Sequence, residues 1–135
     1  MIDDTYAATS WFLWVVGAAF LLGSALPLLF VPLRWGRAFG WRIREDDGFT
    51  VYLGRCLGAV AVVLSLAVFR AAPAPAEHLQ TLEILLGGAA GLLLVHVWGA
   101  LRRSQPWQEN AEIAMYLIIV VVGGLLYSRL PGAML

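Results

Sequence analysis

No position between residue 5 and residue 33 carries a formal charge. A helix needs ~20 apolar residues to cross the hydrocarbon core of a bilayer, so this run predicts a first span at about 10–33. Pro27 and Pro32 lie in its last third. Pro27 removes one backbone hydrogen bond, which membrane helices accept where a neighbour satisfies the freed carbonyl. Pro32 marks the end of the span. A second run predicts a span at about 51–69, with Arg55 in its first turns. The segment "RAAPAPAEH" then breaks the helix, since prolines and small residues punctuate it. A third span follows at about 82–101 and a fourth at about 105–129. Between them lies "RRSQPW", where Ser104 suits an N-cap and Pro106 a first turn. The chain therefore reads as one domain, an all-α integral membrane protein. Its four transmembrane helices form an up-down bundle joined by loops 34–50, 70–81 and 102–104.

Composition agrees. Hydrophobic residues make up 61% and charged residues 13% of 135 positions. A soluble domain is nearer half apolar and a quarter charged, and so small a globule cannot bury this much apolar surface. Nine arginines balance nine acids with no lysine, for a net charge of zero. Nothing here calls for a nucleic-acid partner. Cys56 is the only cysteine, so no internal disulfide forms; it reads as a small buried hydrophobe. The start, "MIDDTYAATS", is acidic where a secretory signal is basic, so the first run reads as a retained span.

The arginines set an orientation. Arg34, Arg37, Arg42 and Arg44 fall in loop 34–50, and Arg102 and Arg103 in loop 102–104. Loop 70–81 holds only Arg70, at its edge, and the N-terminal tail holds no basic residue. Basic short loops stay on the cytoplasmic side. This predicts loops 34–50 and 102–104 inside, with loop 70–81 and both termini extracytoplasmic. The bias argues against a dual-topology transporter, and the two halves run in the same sense, unlike an inverted repeat. Within "RWGRAFGWRIREDDG", Arg34, Trp35, Arg37 and Trp41 read as an interfacial anchor, since arginine and aromatic side chains favour the headgroup zone. Each arginine there gains ~1 kcal/mol from an anionic inner leaflet.

Inside lipid, helices associate by close packing, and small residues mark the seams. Gly54, Gly58, Ala61 and Ser65 share one face of the second span. Gly87 and Gly91 do so on the third, and Gly123 lies on the fourth. Two G-x-x-x-G pairs in one small chain predict a compact bundle, with seams that are internal or shared with another subunit.

Chemistry concentrates in one layer. At 1.5 Å per residue, Arg55 lies ~6 Å into its span and His96 ~8 Å from the end of the third. Glu112 is about two turns along the fourth span, with Tyr116 one turn deeper. Gln105, Glu109, Glu112, Tyr116, Gly123 and Tyr127 fall near one stripe, which turns toward protein rather than lipid. A carboxylate alone in hydrocarbon is costly, so Arg55 is the expected partner of Glu112, with Tyr116 or His96 hydrogen-bonded to the pair. This layer of Arg55, His96, Glu112 and Tyr116 serves as a register clamp or as a proton or anion site. His96 also suits a haem or chlorophyll-type pigment, but it is the only histidine within a span, and no cofactor is predicted. His96 lies ~140° around its helix from the Gly87/Gly91 face, so it faces another neighbour or lipid. Glu77, His78 and Glu83 read as a solvated helix start, and no metal site is predicted.

Phosphate-loop, dinucleotide, zinc-protease, C-x-x-C and nucleophile-elbow motifs are all absent. The expected role is an accessory or scaffold subunit of a bacterial inner membrane, docked by its glycine faces to other membrane subunits or to further copies of itself. The alternatives are an oligomeric transporter or channel using the polar layer, and a lipid-, quinone- or pigment-handling protein centred on His96.

Overall fold

The computed structural model describes residues 2–44 and 47–133. Residues 45 and 46 of the predicted loop 34–50, and residues 134 and 135 at the C-terminus, lie outside them. Helix α1 spans Ala7–Phe30 and contains a π-helical turn at Leu21–Ala25. A short α2 follows at Pro32–Ala38. Then come α3 at Gly48–Ala71, a 3₁₀ turn at Pro75–Glu77, α4 at Leu79–Leu101 and α5 at Trp107–Tyr127. The described residues hold no strand. Helices α1, α3, α4 and α5 are long and apolar enough to cross a membrane.

Local chemistry sets the helix ends. Asp3 Oδ1 accepts the amides of Thr5 (2.8 Å) and Tyr6 (3.0 Å) just before α1. Asp47 caps α3, accepting the Thr50 amide at 2.9 Å and its hydroxyl at 2.7 Å. That cap starts α3 three residues ahead of the predicted second span. Ser104 does not cap α5. It ends α4 instead, in a turn where the Ser104 amide donates to Gly99 O and that of Arg103 to Ala100 O, both at 3.0 Å. Arg103 takes the left-handed conformation there (φ 51°). These two bonds satisfy carbonyls that the end of a helix leaves open. Pro106, with ψ 157°, is still extended, so α5 starts at Trp107.

Pro27 has no N–H to give to the carbonyl four residues earlier, that of Gly23. The Trp35 indole supplies a donor, with Nε1 2.7 Å from Gly23 O. The first span thus keeps its course through the proline as a π turn, with its break at Val31. Trp35, expected as a lipid anchor, is tied to the helix wall.

The four long helices pack in a ring, each against its sequence neighbours, with α5 closing on α1. The closest pairs are α1 with α3 and α4 with α5, so the bundle is two hairpins. At the end that carries the described termini, the hairpins meet in a dense core. Leu13, Val68, Ala71, Leu82, Leu85 and Tyr127 are buried there. Gly58 lets the backbones of α3 and α1 touch: a Cβ on it would sit 2.8 Å from Leu29 Cα and 2.9 Å from Ala25 O. Gly54 packs on Pro32 in the same seam, and Gly123 on Leu86 and Phe12. Gly87 and Gly91 behave differently. A Cβ on either would meet nothing within 4 Å, so their face of α4 is open. Cys56 is exposed on the outer side of α3 rather than buried.

Candidate functional site

At the other end of the bundle, under the arginine-bearing turns, the hairpins part around a cavity of about 360 Å³. Its walls are apolar, with Phe20, Leu28, Leu57, Leu64 and Leu92 among them. One side carries its ionisable groups, His96, Glu109, Glu112 and Tyr116. No arginine lines it.

Antiparallel geometry brings these groups level. His96 is five residues before the end of α4, and Glu109 and Glu112 are two and five residues into α5. At 1.5 Å per residue they meet at one height across the turn. Glu109 and Glu112, three apart, share a helix face. His96 Nε2 stands 3.2 Å from Glu109 Oε2 and 3.4 Å from Glu112 Oε2. The three side chains are only 12%, 9% and 14% exposed, so bulk water does not screen them. The other imidazole nitrogen, Nδ1, lies 2.7 Å from Leu92 O. A carbonyl only accepts, so Nδ1 carries the hydrogen and Nε2 is turned to the two carboxylates. The Tyr116 ring lies beside this pair, its centroid 5.0 Å from that of His96. Gln105 braces the turn, its Nε2 donating to His96 O at 3.0 Å and to Asn110 Oδ1 at 2.8 Å.

The remaining contact crosses from the first loop. Trp41 Nε1 donates to Glu109 Oε1 at 2.6 Å. Its position follows from Gly40, which ends α2 in the left-handed region (φ 84°). The Gly40 amide donates to Arg37 O and that of Trp41 to Gly36 O, which turns the chain back over the cavity. Gly40 also lies so close to Gln108 that a Cβ there would be 2.6 Å from its side-chain oxygen.

Three of the four predicted layer residues, His96, Glu112 and Tyr116, come together here. Arg55 does not. It is exposed on α3, which packs chiefly on α1, and the cavity separates that hairpin from Glu112. Arg34 is exposed, and Arg37 spans its loop by donating to Ile43 O at 3.3 and 3.2 Å. Glu83 accepts from Tyr127 at the far end of the bundle. Glu109 was legible in the stripe on α5, whereas the role of Trp41 was not, because nothing local marks an indole that reaches a partner 68 positions away. As donors for a cofactor or ion, the described residues offer one grouping, the His96, Glu109 and Glu112 set. Comparisons with protein-family models, curated proteins and solved structures find no match to this chain.

Proposed function

We propose that the chain is a multi-pass membrane protein that binds one amphiphilic molecule between its two hairpins. The apolar body of the ligand fills the cavity. Its head is a neutral hydrogen-bonding group, of the quinone or quinol type, held by His96, Glu109, Glu112 and Tyr116. The observation that carries this reading is the cavity itself: about 360 Å³, apolar on nearly every wall, with its ionisable groups gathered at one place. Ligand sites are apolar clefts of ~300–1,000 Å³ with a few convergent polar groups. Two carboxylates repel a phosphate head, so an anionic phospholipid fits poorly, whereas quinol hydroxyls can donate to them. Aromatic rings at Phe20, Trp35 and Trp41 line the same space and offer stacking surfaces. The packed core around Leu13, Ala71, Leu82 and Tyr127 closes the bundle beyond the cavity, which favours binding over passage of a solute. The arginine-rich loops support a head group on the cytoplasmic side of the cell membrane and termini on the other.

The test is quenching of tryptophan fluorescence by a short-chain benzoquinone, added to the protein in detergent. The expectation is saturable quenching that weakens at least tenfold in Ala61→Phe, which fills the cavity. Equal quenching in both proteins would reject the reading.

A specific observation supports a second reading, the accessory subunit or homo-oligomer. Gly87, Gly88 and Gly91 leave an unfilled groove along α4, between Ile84, Leu94 and Trp98, which are 56%, 70% and 64% exposed. Small residues at helix seams admit a second helix closely.

A further inference from the structure

We propose that His96, Glu109 and Glu112 bind a divalent transition-metal ion of the zinc, manganese or iron(II) kind at the head of the cavity. This deepens the ligand-binding reading and rests on it for the water-excluded pocket, but the donor geometry stands by itself.

The geometry is the first argument. The three ligand atoms lie within 4.8 Å of one another, with the imidazole nitrogen 3.2 and 3.4 Å from the two carboxylate oxygens. With metal–ligand bonds of ~2.1 Å at tetrahedral angles, neighbouring donors stand about 3.4 Å apart. Two of the three edges have that length and the third is within 4.8 Å, so small side-chain rotations bring all three donors to one ion.

The second argument is the imidazole. Its Nδ1 hydrogen is committed to Leu92 O at 2.7 Å. In the neutral ring Nε2 is therefore a bare electron pair, and it faces two oxygens that also carry electron pairs. Three acceptors converging in a half-dry pocket repel one another unless a cation sits among them. A single proton leaves the group net negative, with no arginine on the cavity wall to balance it. A divalent ion brings the set to neutrality, which the low dielectric favours.

The third argument is the support behind two of the donors. Metal-bound histidines donate their other ring hydrogen to a carbonyl or carboxylate, and bound carboxylates are themselves hydrogen-bonded. Here Leu92 O holds His96, and the Trp41 indole holds Glu109 at 2.6 Å. One nitrogen and two oxygens suit zinc, manganese or iron(II) better than copper(I), which seeks sulfur. Three protein ligands leave a coordination position free, and it opens into the cavity, where an oxygen of a head group can reach it.

The protein is stripped with a chelator in detergent, dialysed, and titrated with Zn²⁺ alone against a chromophoric competitor; Co²⁺ then reports geometry by its visible bands. The expectation is one ion per chain with four-coordinate Co²⁺ bands, lost in Glu109→Gln/Glu112→Gln and in His96→Ala. Trp41→Phe, which keeps all three ligands, should weaken Zn²⁺ ~10–100-fold, so the proposal remains testable if the ligand variants fail to fold. Absence of stoichiometric Zn²⁺ in the wild type, or an unchanged affinity in Trp41→Phe, overturns it. Quinone quenching repeated in chelator separates the two readings. Zn²⁺ binding without quenching keeps the metal and removes the amphiphile; quenching without Zn²⁺ does the reverse.

Discussion

The bond between Trp35 and Gly23 lends itself to a double-mutant cycle. Trp35→Phe removes the indole donor and retains a ring to stack on Phe39, whose centroid is 4.5 Å away. It also removes a 2.7 Å hydrogen bond to a backbone carbonyl of α1. Measured hydrogen bonds in membrane helices average ~0.6 kcal/mol and reach ~1.7. A carbonyl with an absent proline partner should lie in the upper part of that range, so the bond itself contributes about 1 kcal/mol. Trp35→Phe also loses packing area, so the single substitution overstates the bond. Pro27→Ala resolves this, because the new amide can serve Gly23 itself. Unfolding free energies are measured by SDS titration of the wild type, Trp35→Phe, Pro27→Ala and the double variant. Trp35→Phe should cost less in the Pro27→Ala background, with a coupling of about 1 kcal/mol, whereas independent sites add to within ~0.3–0.5. Additivity within that margin would refute the argument that the loop indole substitutes for the missing N–H.

Gly58→Ala places a Cβ against the Leu29 and Ala25 backbone. Backbone cannot step aside as a side-chain tip can, so SDS titration should show a loss of about 1–2 kcal/mol from overpacking; Gly88→Ala, with nothing within 4 Å, should be neutral or stabilising by up to ~1 kcal/mol. Bonds from the Thr50 hydroxyl and amide hold the Asp47 carboxyl below its usual pKa, with Arg44 adding to the effect. A depressed folded pKa means that the cap contributes at pH values above ~3.9 and is lost as pH falls through the lower folded value. Hydrogen exchange at residues 48–51 should therefore run faster in Asp47→Ala at pH 7, with the difference from wild type closing toward pH 2. If the open α4 groove receives another helix, Gly87→Leu/Gly91→Leu should reduce the native mass of the complex in mild detergent while leaving helicity unchanged; an unaltered mass removes the docking reading.

The fold was legible because hydrocarbon imposes two simple demands. Apolar runs with few charges must be long enough to cross, and breaks must fall where prolines and arginines gather. Four such runs appear, and four helices of 21 to 24 residues answer them. The boundaries were less legible, since they depend on single side chains. Asp47 caps α3 at a position that looks like ordinary loop. Ser104 resembles an N-cap but ends the previous helix. Arg103 takes a left-handed turn that sequence statistics would assign to glycine.

The site shows where a one-dimensional reading runs out. Glycine pairs predict contact, which turns His96, ~140° around the helix, toward another neighbour or lipid. Contact and openness exchange places on α4: the glycine side is bare, and the opposite side meets α5 with His96 between two glutamates. Placing Arg55 opposite Glu112 assumed that opposite charges in one layer find each other. Helix pairing decides otherwise, because α3 stays with α1 and the cavity intervenes. What steadies the carboxylates instead is neutral: an indole brought in by the turn at Gly40 donates to Glu109, and an imidazole oriented by its own helix backbone turns its other nitrogen toward both. Neutral groups fix positions without cancelling charge. A site built this way keeps two carboxylates pointed at one spot and leaves the balancing cation to arrive from outside the chain.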